Sequence, residues 1–119
     1  MELKHNCIRD VMLYLESNQK LHDTVISTSI KIDGYTNDDI FYTVSKLTEA
    51  GYLDAEQHDL CSIIPIKGIT YSGHMFLDNI RDDVVWKETT NKLSKFKSAS
   101  IEIINQVAAG IILNMMGIK

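Results

Sequence analysis

The sequence offers two pairs of side chains of the kinds that bind zinc. His5 and Cys7 are two residues apart, and His58 and Cys61 are three apart, which together supply two imidazoles and two thiols. This set suits tetrahedral zinc by ligand type, but its spacing matches structural zinc sites only loosely. Both cysteines also adjoin apolar runs, where a buried thiol is common. We therefore predict no metal site and no cofactor.

One pair of residues has the spacing for acid–base chemistry. His74 and Asp78 are four residues apart in an expected helix, so that the carboxylate could orient the imidazole. The chain carries neither a Gly-x-Ser-x-Gly elbow nor a glycine-rich phosphate loop. The alternative is that His74 packs on the preceding hairpin and that Arg81 bonds a carboxylate or a helix C-terminus. The surface ion-pair network of that alternative comprises Asp78, Arg81, Asp82 and Asp83. We favour it, and predict no catalytic residues and no enzyme activity.

Composition narrows the remaining classes of function. The chain has 119 residues, of which 45% are hydrophobic and 24% charged, and this is typical of one globular domain. Two cysteines cannot build a disulfide framework, and no signal peptide is visible, so we expect a cytoplasmic protein. The net charge of −4 argues against a protein that coats nucleic acid through positive charge alone.

The first half of the chain predicts a helix, a strand and a second helix. Apolar residues recur with helical spacing near the N-terminus, and alternation over residues 28–32 is typical of a half-buried strand. Thr36 and Asp39 have the spacing of a capping box, which starts the second helix. Gly51 is the left-handed residue expected after its last turn.

The second half predicts a β-hairpin and a third helix. Strands are expected near 52–56 and 61–71, and Pro65 suggests an edge strand or a bulge. A helix then opens at Ser72-Gly73 and is expected to run past Trp86 towards Phe96. The predicted core comprises Ile8, Val11, Leu15, Ile40, Val44, Leu47, Leu53, Phe76, Leu77 and Ile80.

This order of elements is that of a winged-helix domain. Helix, strand, helix, β-hairpin wing and helix over residues 1–97 predict an α+β, winged-helix-like domain. Residues 98–119 are expected to form a separate, apolar C-terminal helix.

Two stretches carry a resemblance to a known family. Asn6-Cys7-Ile8-Arg9-Asp10 is followed by Leu13-Tyr14-Leu15-Glu16, and later comes Gly73-His74-Met75-Phe76-Leu77-Asp78-Asn79-Ile80-Arg81-Asp82-Asp83, with Trp86 after it. Together they resemble the family catalogued as domain of unknown function 2513, short proteins of bacteria and their prophages. The resemblance covers the whole chain. It implies a bacterial or phage origin and a winged-helix-like body, and it supplies no catalytic residues.

The expected recognition helix, residues 37–50, is poorly suited to DNA. Its only cation is Lys46, and Asp38 and Asp39 at its start would repel phosphates. Base readout through this helix is therefore disfavoured. Phosphate contact elsewhere stays open as an alternative to a simple solvated helix face. The residues for such contact are Lys67, Lys87, Lys92, Lys95 and Lys97.

Two functions remain open at this point. The first is a protein-interaction or regulatory module that engages an unknown protein partner through an acidic face. The residues of that face are Asn37, Asp38, Tyr42 and Lys46. The second is a DNA-binding transcriptional regulator that contacts phosphates through Lys67 and the lysines of residues 87–97.

The C-terminal segment predicts self-association. Thirteen of the twenty residues from 99 to 118 are apolar, and a set of them follows a 3-4-3-4-3 spacing, which is typical of a helix that packs on another helix. The set comprises Ile101, Ile104, Ala108, Ile111, Met115 and Ile118. Four polar side chains argue against a membrane span. We predict a homodimer, with a higher even oligomer or packing back onto the same chain as the alternatives.

Overall fold

The computed structural model describes residues 1–57, 62–96 and 99–118. These residues form an α+β structure, as predicted. The helices are α1 (His5–Asn18), α2 (Asn37–Glu49), α3 (Tyr71–Ile80), α4 (Asp83–Leu93) and α5 (Ile101–Met115). The strands are β1 (Val25–Ile26), β2 (Leu53–Ala55) and β3 (Pro65–Ile69), and a 3₁₀ turn covers Ser27–Ser29. The chain divides into two compact units, Met1–His74 and Met75–Lys119, so the expected boundary at 97/98 falls inside the second unit.

Helix α1 forms where the helical spacing predicts it. Its apolar stripe is buried and packs against α2 and β3. At its C-terminal end, the Gln19 Nε2 amide donates hydrogen bonds to the carbonyl oxygens of Asp23 at 2.9 Å and Ile66 at 2.8 Å. Gln19 thus ties the end of α1 to strand β3.

The strand predicted over residues 28–32 is wrong. Strand β1 ends at Ile26, and a 3₁₀ turn follows in which the Ile30 N–H donates to the Ser27 carbonyl at 3.3 Å. The Ser29 hydroxyl donates to the Ile26 carbonyl at 2.7 Å, a local bond of the kind by which serine competes with a strand ladder. The turn buries Ser27 and Ile30, three residues apart. Alternating apolar residues here serve a turn rather than a strand.

Helix α2 begins and ends as predicted. The Asp39 N–H donates to the Thr36 hydroxyl at 3.0 Å, and the Thr36 N–H donates to the Asp39 carboxylate at 3.1 Å, which completes the capping box. Gly51 has φ +83°, in the left-handed region that favours glycine.

The three strands form an antiparallel sheet in the order β1-β3-β2. Strand β2 lies within the range predicted, but β3 covers only Pro65–Ile69, and residues 58–61 lie outside the described part of the chain. Pro65 is the first residue of the central strand, where a missing N–H is tolerated, so the predicted edge position is wrong. The pairing shifts register between Asp54, which faces Gly68, and Ala55, which faces Ile66, so the extra residue is Lys67 on β3 itself, in agreement with the bulge given as the alternative.

The prediction of a single long third helix is also wrong. Helix α3 ends at Ile80, and Asp82 caps a new helix, because its carboxylate accepts the N–H groups of Val84 at 2.9 Å and Val85 at 3.0 Å. In the second unit, α4 packs against α5. The predicted core is confirmed throughout, since all ten of its side chains are 3% exposed or less.

Candidate functional site

Four side chains on α2 form the candidate partner-binding surface, here called the α2 face: Asn37, Asp38, Tyr42 and Lys46. Asp38, Tyr42 and Lys46 are spaced four residues apart and so lie along one stripe of the helix. Asn37 and Asp38 are exposed, while Tyr42 and Lys46 are half-buried. The helix thus brings the predicted partner residues together on one side.

The charges of α2 are distributed unevenly along its length. Lys46 lies 3.0 Å from the Glu49 carboxylate and 5.3 Å from the centre of the Tyr42 ring. The hydrogen bond with Glu49 raises the pKa of Lys46. At the N-terminal end, two hydrogen bonds hold the pKa of the Asp39 carboxyl below its usual range: the larger effect is that of the Thr36 N–H, and the next is that of Lys4. Neighbours therefore partly neutralise the charges at both ends of α2, since Lys4 lies 3.1 Å from the Asp39 carboxylate and Glu49 holds Lys46.

A groove of about 330 Å³ adjoins the N-terminal end of the α2 face. Its lining comprises Ser27, Thr28, Asn37, Asp38, Phe41 and Ser62. Phe41 is not among the predicted surface residues, although it precedes Tyr42 and is also half-buried. Lys31 donates a hydrogen bond to the Asn37 side-chain oxygen at 2.8 Å. The groove offers hydroxyl groups, an amide and a carboxylate around one aromatic ring.

The lysines proposed for phosphate contact are distributed over both units. Lys67 lies on β3, 3.6 Å from the Glu56 carboxylate, in a pair whose side chains are both more than half exposed. Lys87 and Lys92 are exposed on α4, and Lys95 is exposed just after it. Lys97 lies outside the described residues. In the second unit the structure therefore gathers Lys87, Lys92 and Lys95 on or next to one helix.

Among the residues considered for metal binding and catalysis, Cys7 and Asp78 have hydrogen-bond partners in the structure, and His74 is exposed. The Cys7 thiol is fully buried, with its sulfur 3.2 Å from the Thr43 hydroxyl oxygen, and burial raises its pKa. His58 and Cys61 lie outside the described residues. Asp78 accepts a hydrogen bond from the Arg81 guanidinium at 2.8 Å, which confirms the carboxylate partner predicted for Arg81. Across residues 1–57, 62–96 and 99–118, no group of three or more His, Cys, Asp or Glu side chains is placed to hold a metal ion.

The residues predicted for oligomerisation fall into two groups. Four are buried in the second unit, where α5 packs on α4: Ile101, Ile104, Ala108 and Ile111. Met115 and Ile118 are 52% and 51% exposed. No helix in the described part of the chain is long and apolar enough to cross a bilayer. The homodimer itself stays a prediction.

Comparison with known proteins gives a family. The family model "Hypothetical protein (DUF2513)" matches residues 2–100. An uncharacterised protein of Haemophilus influenzae is 30% identical over 120 residues, which cover 98% of this chain and 99% of that relative. No solved structure gives a significant match. These matches confirm the resemblance carried by the two sequence stretches, and the chain belongs to the DUF2513 family.

Proposed function

We propose that this protein is a winged-helix module of a bacterial or prophage regulatory system, and that it binds a protein partner through the α2 face in the cytoplasm. The order of the elements supports the winged-helix assignment. Helix α2 runs directly into β2, and the sheet order β1-β3-β2 places the last strand between the first two. In such a domain α2 occupies the position of the recognition helix.

One observation carries the choice of a protein over DNA. The single cation of α2, Lys46, is held by Glu49 at 3.0 Å and lies over Tyr42. Base readout needs donors that are free to reach base edges, and at the other end of the helix the Asp38 carboxylate repels phosphates, while Asp39 is paired with Lys4 at 3.1 Å. An aromatic ring flanked by charges of both signs suits a protein surface better.

Phosphate contact by the second unit is the alternative function. Lys87, Lys92 and Lys95 are all exposed on or beside α4, and Glu88 is the acidic residue among them. Such contacts would position the protein on DNA without reading its sequence. Binding of this kind would weaken steeply as the salt concentration rises.

The proposal also has the module acting as a homodimer through its C-terminal helix. Support comes from the accessible apolar side chains at the end of α5 and just after it, among them Met115 and Ile118. A dimer would present two α2 faces to a partner, which strengthens binding when both can engage at once.

Site-specific photo-cross-linking tests the partner face. Replacing Tyr42 with benzoylphenylalanine in bacterial cells that express the protein should give a discrete covalent adduct with another protein. The same replacement at Tyr71, which is 80% exposed on α3, is the matched control and should not give that adduct. Identical adducts at both positions would argue against a specific α2 face.

Selection from a random duplex library at moderate salt tests the alternative. We expect no enriched motif. A motif whose enrichment is lost on Asn37→Ala or Lys46→Ala would overturn the proposal. Sequence-independent retention that is lost on Lys87→Ala with Lys92→Ala would favour the alternative function.

A further inference from the structure

A pocket of about 270 Å³ lies in the first unit, lined by the end of α1, the turn after it, strand β3 and the first turn of α3. Its lining holds two ammonium groups and two imidazoles, against the single carboxylate of Glu16. These four side chains, here called the basic pocket, are Lys20, His22, Lys67 and His74. They come from three separate segments of the chain, so the fold brings together groups that lie far apart in the sequence.

The turn that carries Lys20 and His22 is held in one conformation. The Asp23 N–H donates to the Lys20 carbonyl at 3.0 Å, and the Gln19 Nε2 amide donates to the Asp23 carbonyl at 2.9 Å. Within this turn His22 has φ +69°, and it is the only non-glycine residue with a positive φ in the described part of the chain. Strained residues of this kind cluster at ligand sites. Glycine would be the unstrained choice here, which indicates that the imidazole has a use.

Strand β3 is irregular where it borders the pocket. Lys67 is the extra residue of the bulge, and bulges often re-aim a side chain beside a functional site. A Cβ built at the next residue, Gly68, meets nothing within 4 Å, so the backbone here opens onto free space. Lys67 also lies 3.6 Å from the Glu56 carboxylate, but a pair this exposed is too weak to keep the ammonium from a ligand.

His74 is positioned by the glycine before it. Gly73 lies against the Tyr52 carbonyl, where an added Cβ would overlap, and the His74 N–H donates to the Thr70 carbonyl at 2.9 Å. These contacts fix the first turn of α3, and the next side chain after Gly73 lines the pocket. The Gly73-His74 pair of the family stretch, which the α2 face does not use, therefore has a place in this site.

The charges around the pocket favour an anion. Among the described residues no ion pair holds the Lys20 ammonium. The last carbonyls of α1 would oppose an anion, but that of Leu15 accepts the Gln19 N–H at 3.0 Å and that of Tyr14 accepts the Asn18 side-chain amide at 2.8 Å. Ammonium and imidazole N–H groups that converge from several directions suit a phosphate group, which presents several acceptor oxygens around one atom.

We propose that the basic pocket binds the phosphate group of a small phosphate monoester. Lys20, Lys67 and the two imidazoles hold the phosphate oxygens. Leu21 and Ile69 also line the pocket and supply apolar contact for the organic part of the ester. The Glu16 carboxylate can accept a hydrogen bond from a hydroxyl of that part. The site shares no residue with the α2 face, so it is independent of the proposed protein partner.

An NMR titration with inorganic phosphate and with glycerol 3-phosphate tests the site, at constant ionic strength set with chloride. The ring resonances of His22 and His74 should shift and saturate, whereas those of His5, which is outside the lining, should not move. The dissociation constant should be millimolar or lower, and lower for the ester. Lys20→Ala should raise it at least about 10-fold through the lost charged hydrogen bond. Lys31→Ala removes an exposed cation outside the pocket and should change it less than about 2-fold.

His22→Gly separates binding from folding. Glycine relieves the left-handed strain, so the midpoint of thermal unfolding should stay the same or rise while phosphate binding weakens. Unchanged binding in this variant would overturn the role of His22. Shifts that do not saturate, or equal affinities for Lys20→Ala and the wild type, would overturn the site. A short DNA duplex that shifts the same resonances at a lower concentration than the ester would overturn the assignment to a small molecule.

Discussion

Gly73 lies directly against the carbonyl oxygen of Tyr52. A Cβ added at Gly73 would overlap that oxygen and would lie 2.7 Å from the Cγ2 methyl of Ile69. The same carbonyl accepts a hydrogen bond from the Thr70 N–H at 3.1 Å, which holds it in position and keeps it from moving away from an added side chain. The first turn of α3 can therefore pack on the start of β2 only if it carries no side chain at this point.

Gly73→Ala should destabilise the protein even though alanine is the better helix former. Overpacking against a fixed backbone costs about 1–3 kcal/mol, which exceeds the helix-propensity gain of about 0.5–1 kcal/mol. Urea denaturation measures the difference in the free energy of unfolding. Gly68→Ala is the control, since a Cβ there meets nothing within 4 Å. Equal stabilities for the two variants would contradict the contact.

Asp39 should make the stability of the protein depend on acidic pH. Its pKa is lowered by the Thr36 N–H and by Lys4, so its stabilising effect is present above the unfolded-state value of about 4 and is lost as the pH falls through the lowered folded-state value. Asp39→Asn should therefore be less stable than the wild type at pH 7, and the gap should shrink under acid conditions. Asp38→Asn removes a charge from the same helix turn outside the capping box. If the two variants show the same pH profile, the capping box is not the cause.

Tyr35 should make the stability of the protein depend on alkaline pH, with stability falling as the pH rises. Its hydroxyl donates to the Asp10 carboxylate at 3.1 Å, and burial followed by the Asp10 charge raises its pKa to about 12. The unfolded tyrosine ionises near pH 10, so this stabilisation is complete below about pH 10 and is lost as the pH approaches 12.

Tyr35→Phe should cost about 0.5–1.5 kcal/mol at neutral pH through the lost hydrogen bond, and should show a smaller further loss between pH 10 and 12. Chemical denaturation across that range measures both effects. Tyr71→Phe removes an exposed hydroxyl and is the control. An alkaline loss as steep in Tyr35→Phe as in the wild type would argue against this pair.

Where a local rule decided the structure, the sequence was sufficient to predict it. The capping box of Thr36 and Asp39, the left-handed Gly51 and the buried stripes of α1 and α2 depend on neighbours within one or two turns. The strand predicted over 28–32 failed because alternation does not distinguish a strand from a turn whose serines bond the backbone. The bond between Ser27 and Ile64, 37 residues apart, cannot be seen in the spacing.

The C-terminal stripe shows the same limit for the candidate site. A 3-4 spacing indicates that a helix packs on another helix, but it does not say which one. Ile104 and Ile111 are already buried within their own chain. The helix that packs on α5 is α4, which is separate from α3 because α3 ends at Ile80 and Asp82 caps a new helix. The role predicted for Asp82 was an ion-pair network rather than a helix cap.

Two neighbouring isoleucines on α5 should behave differently because one is buried. Ile104→Ala should lower the free energy of unfolding by about 2–5 kcal/mol, since Ile104 is fully buried. Ile103 is 45% exposed, so Ile103→Ala should change the stability of the monomer by less than about 0.5 kcal/mol. Both are measured by denaturation at submicromolar concentration, where a dimer contributes little. Equal losses would mean that α5 does not pack on α4 as described.

The last prediction concerns the break between α3 and α4. Asp82 is the residue that ends one helix and starts the next, because its carboxylate satisfies the first N–H groups of α4. Asp82→Ala should cost about 0.5–2 kcal/mol, the usual effect of removing an N-cap. It should also let the two helices join, which would raise the helical signal in circular dichroism while the stability falls.

Asp82→Asn separates capping from charge. Asparagine caps a helix about as well as aspartate, so this variant should keep most of the stability and the wild-type helical signal. A fall as large as that of Asp82→Ala would mean that the negative charge, rather than the hydrogen bonds to Val84 and Val85, holds the start of α4. Near-wild-type stability for Asp82→Ala would instead mean that the packing of Val85, Trp86 and Leu93 sets the start of the helix without help from the cap.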